Sequence, residues 1–564
     1  MAILEEEVAF LEDFVSDSVD HRGTPAGKSS TGGWRSAWYI IGVEVGERFA
    51  YFGIASNLIT YLTGPLGQST ATAAVNVNTW SGTASMLPVL GAFIADAYLG
   101  RYRTIVLASL IYILGLGLLT LSASLILMGL SEQRHVTHDV SAKPFFWVNL
   151  LFFCSLYLVA IGQGGHKPCV QAFGADQFDV EDPKERISRG SFFNWWFLSL
   201  SAGITLSIVV VVYVQDNVNW ALGFGIPCLF MVMALALFLL GRRTYRYPRG
   251  DREEKKNAFA RISRVFVAAF KNRKLRLEHS DQLEDGLSQK CKGTHEFLAK
   301  ALLSGEGGAE PCNGRDVEDA MALVRLIPIW ITSVVSYIPY AQYATFFTKQ
   351  GVTVDRKILP GLEIPPASFQ SLIGVSIFIS VPTYERVFIP LARLVTKKPF
   401  GITMLQRIGA GMVLSSFNMM IAALVEMKRL ETAKEHGLLD RPDATIPMSI
   451  WWFVPQYLLL GMIDIFSLVG TQEFFYDQVP TELRSIGLAL SLSAMGLASF
   501  LSGFLITVIN WATGKNGGDS WFNTNLNRAH VDYFYWLLAA FTATGFIAFL
   551  ICSRLYVYRR VDQV

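Results

Sequence analysis

The stretch Trp38-Tyr39-Ile40-Ile41-Gly42-Val43-Glu44-Val45-Gly46-Glu47-Arg48-Phe49-Ala50-Tyr51-Phe52-Gly53 decides the fold. It is apolar enough to cross a bilayer, yet it carries two acids and a base in its middle. Glu44, Glu47 and Arg48 stand at i, i+3 and i+4, which puts them on one helical face. Each ionisable group at that depth costs roughly 2.5–3.5 kcal/mol on insertion scales, so such groups face protein or water rather than lipid. A buried cluster of both signs holds or releases a proton according to which partner is near. The alternative is a structural ion pair that locks two helices together.

The surrounding chain is of the same kind. Its 564 residues are 52% hydrophobic, 13% aromatic and only 17% charged, with a mean hydropathy of +0.36. A soluble protein carries about 25% charged residues, so this is a polytopic membrane protein. A net charge of +2 with no basic, aromatic-interleaved stripe gives no footprint for nucleic acid. The acidic opening (Glu5, Glu6, Glu7, Glu12, Asp13) is unlike a secretory signal, so the first span is expected to stay in the membrane. None of the six cysteines forms a CxxC pair, and neither a disulfide framework nor a metal site is expected.

Apolar runs of about 20 residues are expected as spans at Trp38–Leu62, Ala73–Ala97, Tyr102–Leu130, Phe145–Gly165, Phe192–Val214 and Trp220–Leu240. A second set covers Ala320–Phe347, Phe369–Leu394, Ile402–Met427, Ile450–Phe475, Ile486–Trp511 and Tyr533–Tyr556. Arg242, Arg243, Arg246, Arg249, Arg252, Lys255 and Lys256 crowd the start of the polar stretch between the sets, which makes it cytoplasmic by the positive-inside rule. An even number of spans on either side then places both termini in the cytoplasm. Lys428–Asp443, long and charged, is the outer loop that fits this rule least well. The expected organisation is a cytoplasmic tail over 1–34, a six-helix bundle over 35–241, a cytoplasmic linker over 242–319, a second six-helix bundle over 320–556, and a cytoplasmic tail over 557–564. Within the linker, Phe259, Ile262, Val265, Phe266, Ala269 and Phe270 recur at helical spacing. They predict an amphipathic helix, lying on the inner leaflet or packed against the ends of the spans. This is an all-α design in which one bundle rocks against the other around a midplane site.

Gly91-Ala92-Phe93-Ile94-Ala95-Asp96-Ala97-Tyr98-Leu99-Gly100-Arg101 joins the second and third spans. Asp96 and Arg101 could form an ion pair or helix-end contact that breaks as the bundles rock, and Gly91 permits close helix approach. This segment resembles the short-loop signature of the major facilitator superfamily, a fold of two six-helix bundles and about 12 transmembrane helices. Glu44-x-x-Glu47-Arg48-Phe49-Ala50-Tyr51-Phe52-Gly53 is similar to the first-helix motif of the proton-dependent oligopeptide transporters. Phe173-Gly174-Ala175-Asp176-Gln177-Phe178-Asp179 and Phe192-Phe193-Asn194-Trp195-Trp196-Phe197 match further signatures of that family. The long linker and the closing Tyr556-Val557-Tyr558-Arg559-Arg560 resemble its plant branch, the nitrate/peptide transporters.

That resemblance implies proton-coupled symport by alternating access and no enzyme activity. The solute is expected to be small and anionic or zwitterionic: nitrate, a di- or tripeptide, or a plant hormone-like compound. A passive, bidirectional nitrate carrier and a nitrate-sensing transport protein are the alternative readings. Lys167, low in the fourth span, needs a carboxylate partner or snorkels to the interface; in the family it engages the first-helix cluster. Glu44, Glu47, Arg48 and Lys167 would thus couple protons, and Arg48, Tyr51, Lys167, Tyr340 and Glu473 would meet substrate. Glu473 would give the second bundle its negative wall, with Asp464 a packing or gating residue. Tyr340 stands where the best-known nitrate transporter type has a histidine, so a nitrate site built on that imidazole is not available. Thr104 matches a regulatory phosphothreonine, which would bring in a kinase; Asp96 and Arg101 would gate. No cofactor is implied beyond a proton gradient, and the partners are protons, a small solute and the lipid bilayer. Plasma and vacuolar membranes both fit.

Overall fold

The computed structural model describes residues 14–136, 146–179, 181–248, 252–274, 296–302, 312–359, 362–397, 402–479, 484–515, 519–556 and 558. The first thirteen residues, residues 275–295 and 303–311 of the linker, and most of the 557–564 tail lie outside them.

Ten helices among the described residues are long and apolar enough to cross a membrane on length and composition. Four fall in the first half: Arg101–Gly129, Phe146–Ala175, Pro183–Asn217 and Trp220–Arg243. Six fall in the second: Gly314–Val352, Pro366–Leu394, Met404–Glu435, Ile450–Asp477, Gly487–Gly514 and Val531–Leu555. Gly33–Ala55 and Thr70–Ile94 bring the first half to six. The first of these is less apolar because it carries Glu44, Glu47 and Arg48. The second is rich in Thr, Ser and Asn. These twelve are spans 1–12 in chain order, two six-helix bundles in the major facilitator arrangement.

Local chemistry sets where the helices begin. Asp182 caps span 5, accepting from the Lys184 amide at 2.8 Å, and Pro183 fills the first turn. Asn219 caps span 6 through the Leu222 amide, and Thr403 with Gln406 forms a capping box on span 9. Outward faces are apolar because their solvent is lipid: Leu110, Leu114 and Leu121 form an exposed stripe along span 3. Small residues set the closest approaches. A Cβ on Gly91 would fall onto the Gly164 carbonyl of span 4, so the close contact expected at Gly91 exists. Across the two halves, Gly82 of span 2 and Gly496 of span 11 pass so closely that a Cβ on either would stand 3.0 Å from the other's carbonyl oxygen.

Three spans are interrupted. Wide π turns lie at Ala95–Leu99, Tyr384–Phe388 and Asp464–Val469, in or beside spans 2, 8 and 10. Such turns re-aim side chains and concentrate at functional sites.

Part of the expected tail over 1–34 is ordered. Strand β1 (Phe14–Val19) pairs antiparallel with β2 (Pro25–Gly27) and with β3 (Tyr247–Pro248), and span 1 already starts at Gly33. The beginning of the linker therefore belongs with the first bundle. Arg246, 1% exposed, fastens it there by bonds of 2.6 and 3.0 Å to Glu185. The amphipathic helix exists as Arg252–Lys271. Val265, Ala268 and Ala269 pack on Val317, Ala320 and Met321 at the start of span 7, which settles the packed alternative. Phe266, Val267 and Phe270 stay exposed on its other side.

The charged stretch expected as outer loop from Lys428 is helical as far as Glu435, because one of its charges is neutralised inside the protein. Arg429 and Glu426 are both fully buried. Arg429 Nη2 and Nε donate to Glu426 at 2.6 and 2.7 Å, and Arg429 also donates to Asn527 Oδ1 and the Leu526 carbonyl. Gln350 completes the carboxylate at 2.7 Å. Removing one partner of a satisfied buried pair strands the other. Arg429→Ala is therefore expected to cost about 3–5 kcal/mol of stability, read as a lowered melting temperature of the detergent-purified protein; an unchanged transition would show the pair to be dispensable.

Candidate functional site

Span 1 is packed among spans 4, 5 and 6, and glycines on its faces let those helices close in: Gly46 lies against Ala234, and Gly53 against Pro227 and Ser207. Its charged turn consequently faces protein. Glu44, Glu47 and Arg48 are 1%, 0% and 6% exposed. Arg48 Nε stands 2.6 Å from Glu44 Oε1 and 3.1 Å from Glu47 Oε2, so a single guanidinium is shared by both acids. Glu44 Oε2 and Glu47 Oε1 accept no hydrogen bond.

Lys167 reaches the same cluster from span 4. It makes no ion pair among the described residues, and its charge acts on Glu47, Glu44 and Arg48 from a short distance. Pro168 beside it has no amide to offer the Gly164 carbonyl, in the segment where spans 2 and 4 touch. Lys167 lines the central cavity, so the snorkelling alternative is not what the geometry shows.

That cavity, about 2160 Å³, lies between the two bundles. Glu44, Arg48 and Lys167 form part of its wall from the first bundle; Tyr340, Tyr343 and Asp464 face it from the second. Asp464 begins the π turn of span 10 and is 8% exposed. Tyr340 Oη donates to its Oδ2 at 3.2 Å, while Oδ1 has no partner. The volume exceeds the roughly 300–1,000 Å³ of an ordinary small-molecule pocket, because the cavity continues as a vestibule past Arg101, Asp176, Arg407 and Glu473. The far end is shut by bonds between the bundles. Lys349 Nζ donates to Thr63 Oγ1 at 3.1 Å, Gln370 Nε2 to the Ser56 carbonyl at 2.8 Å, and Ser368 Oγ to the Ile208 carbonyl at 3.3 Å.

Several expected site residues stand elsewhere than the sequence suggested. Glu473 lines the vestibule, is 45% exposed, and is held by Arg407 Nη1 at 2.8 Å. Arg407 is itself tied to the Ile465 carbonyl at 3.1 and 2.8 Å and lies over the Tyr384 ring. The buried carboxylate that the second bundle turns to the cavity is thus Asp464. Both acids interrupt an apolar run, and nothing in their spacing distinguishes the deeper one. Tyr51 stacks on Trp80 with ring centroids 5.4 Å apart and stands behind the cavity wall as support for the charged turn. Glu47 likewise lies behind the wall.

Arg101 pairs with Asp176, tying the start of span 3 to the end of span 4. The side chain of Asp96, its expected partner, lies outside the described residues. Thr104 is 5% exposed and its hydroxyl donates to the Gly100 carbonyl at 2.9 Å, so a kinase would need the start of span 3 to open. One neighbour was not anticipated at all: His166 is fully buried beside the glutamates. Glu44, Glu47 and His166 bring potential ligand atoms within 4.8 Å of one another, although no metal site was expected. The guanidinium already lying on both carboxylates favours a proton there over a second full cation.

Comparison with known proteins identifies the family. The profile of the POT family (PTR2) matches residues 102–522. Protein NRT1/PTR family 5.16 of Arabidopsis thaliana is 90% identical over the whole of both chains, and its relative 5.14 is 62% identical over 99% of each. The crystal structure of an auto-inhibited POT family peptide transporter superposes with a TM-score of 0.69 at 20% identity, covering 94% of this chain and 99% of that one. The chain belongs to the POT family, among its NRT1/PTR members, and is a multi-pass membrane transporter of small molecules rather than an enzyme.

Proposed function

We propose that the chain is a proton-coupled symporter of a small anionic or zwitterionic solute. The observation that carries this reading is the charge count behind and on the first-bundle wall. Glu44 and Glu47 balance Arg48 and Lys167, so the unloaded cluster is neutral. In a low-dielectric interior a departure from neutrality is costly. A proton on Glu47 releases part of Arg48 and leaves one positive charge in excess. An anionic group entering beside Arg48 and Lys167 restores the balance. Proton and solute thereby favour each other's binding, which is the thermodynamic content of coupling.

Asp464, 8% exposed with one oxygen free, supplies the opposite pole. A solute with an ammonium group as well as a carboxylate spans the two walls, and the solved neighbours described as peptide transporters are in keeping with such a zwitterion. Nitrate and hormone-like carboxylic acids would use the cationic wall alone. The second bundle would move when the far-end bonds at Lys349, Gln370 and Ser368 break and the vestibule closes.

The vestibule opens at the end that carries the β1–β3 sheet and the basic residues Arg186, Arg189, Arg242 and Arg243. By the positive-inside rule we read this end as cytoplasmic, a reading that makes the form inward-open with both termini inside. The membrane is the plasma membrane or the vacuolar membrane, and no cofactor is required. Phosphorylation at Thr104 would act by opening the base of span 3.

The full chain in proteoliposomes, given nitrate, dialanine or phenylacetate with and without an inward proton gradient, tests the proposal. Accumulation above equilibrium should occur for at least one solute and rise as the outer side is acidified. Equal uptake with and without the gradient would identify a passive carrier instead. Glu47→Gln and Lys167→Ala should each lower gradient-driven uptake at least about tenfold at unchanged abundance in the membrane; one lost charge-assisted interaction of 1.5–3 kcal/mol is enough for that. Undiminished uphill uptake by Glu47→Gln would sink the coupling scheme. Asp464→Asn should depress dialanine uptake about tenfold more than nitrate uptake. Equal losses for the two solutes would remove Asp464 from ammonium recognition.

A further inference from the structure

His166 is fully buried, and neither of its ring nitrogens has a hydrogen-bond partner. A neutral imidazole has one N–H and one lone pair to satisfy, and an unmade bond in such a place is costly. Around it stand two carboxylates, which only accept, and two cations, which only donate. Glu44 and Glu47 with Arg48 approach from span 1 and Lys167 is its neighbour on span 4, while Tyr112, whose hydroxyl is also unpartnered, bears on Glu47 and Arg48 from span 3. Glu44 Oε2 and both oxygens of Glu47 accept no hydrogen bond.

The cluster is layered. Glu44, Arg48 and Lys167 line the cavity, whereas Glu47 and His166 lie behind that wall. A proton held in the rear layer changes the charge that a solute meets without touching the solute. With Glu47 ionised, an imidazole that turns its lone pair toward the acid meets only another acceptor. A proton on Glu47 converts one acceptor into a donor. The nearest atoms of the acid and the imidazole lie within 4.8 Å, a gap closed by one bridging water or a small side-chain rotation.

We propose that His166 is the positioning residue for the coupling proton: its neutral imidazole accepts a hydrogen bond from protonated Glu47, in a layer behind the solute cavity, and so stabilises the proton-loaded state. This inference rests on the coupling role proposed for Glu47. A hydrogen bond made only to the neutral acid raises the acid's proton affinity. Losing it shifts proton binding toward lower pH, by about one unit for a tenfold loss.

The test needs no identified solute, since the proton itself is the probe. The full chain, reconstituted in lipid, is titrated from neutral to acid pH by infrared difference spectroscopy. The protonated-carboxyl band missing from Glu47→Gln reports Glu47. In His166→Leu the midpoint of that band should fall by about one pH unit, with His166→Phe used if Leu does not reach the membrane. His166→Gln, whose amide oxygen can accept the same bond, should return the midpoint most of the way. A midpoint unmoved in the apolar variants overturns the proposal and makes His166 a packing residue, as does failure of both variants to fold. The absence of any Glu47-dependent carboxyl band would instead remove the coupling role of Glu47, and this inference with it. An unmoved midpoint with the band present fails the role of His166 alone.

Discussion

Charges withdrawn from water must be balanced where they stand, and that constraint organises the molecule. Two carboxylates and a guanidinium share one turn of span 1, with a lysine ammonium close by on span 4. Helices that expose such a turn to lipid are unstable. Span 1 is accordingly enclosed by spans 4, 5 and 6, through contacts that only its glycines allow. The enclosure that shields the charges also brings His166 and Tyr112 up behind them. One electrostatic requirement thus accounts for the packing of the first bundle and for the chemistry at its inner face.

The second bundle handles buried charge in two ways. Glu426 and Arg429 are saturated with partners, which makes them a brace with no capacity left for exchange. Asp464 keeps one oxygen unpartnered and is aimed at the cavity by a π turn. A satisfied pair holds structure, and an unsatisfied group has binding energy left to give. The same distinction separates Arg407–Glu473, a pair in the vestibule, from Lys167, which makes no ion pair among the described residues. Bonds between the bundles close one end of the cavity, and a wide vestibule leaves the other open.

Much of this was legible in the chain. The i, i+3, i+4 charges of span 1 required a protein-lined environment, because helical periodicity and desolvation are local properties. The rough placement of the spans, the linker helix around Phe259–Phe270 and the small-residue contact at Gly91 follow from composition and period in the same way. The strand in the N-terminal tail was not legible, because β1 pairs both with nearby Pro25–Gly27 and with Tyr247–Pro248, more than two hundred residues away in sequence. Glu473 was preferred to Asp464 on the family resemblance, since both read as acids in an apolar run and the depth at which each sits depends on where span 10 bends.

The amino-acid sequence by itself determined that the chain crosses a membrane in two sets of helices and that span 1 carries a charge cluster needing partners. Only the tertiary structure decided which partners those are. Arg48 is divided between two glutamates, Arg101 meets Asp176, Tyr340 meets Asp464, and His166 stands behind the wall that Lys167 helps to form. The physical reason is that desolvation is a property of a residue and its own helix, whereas pairing depends on distances between helices that no single span encodes.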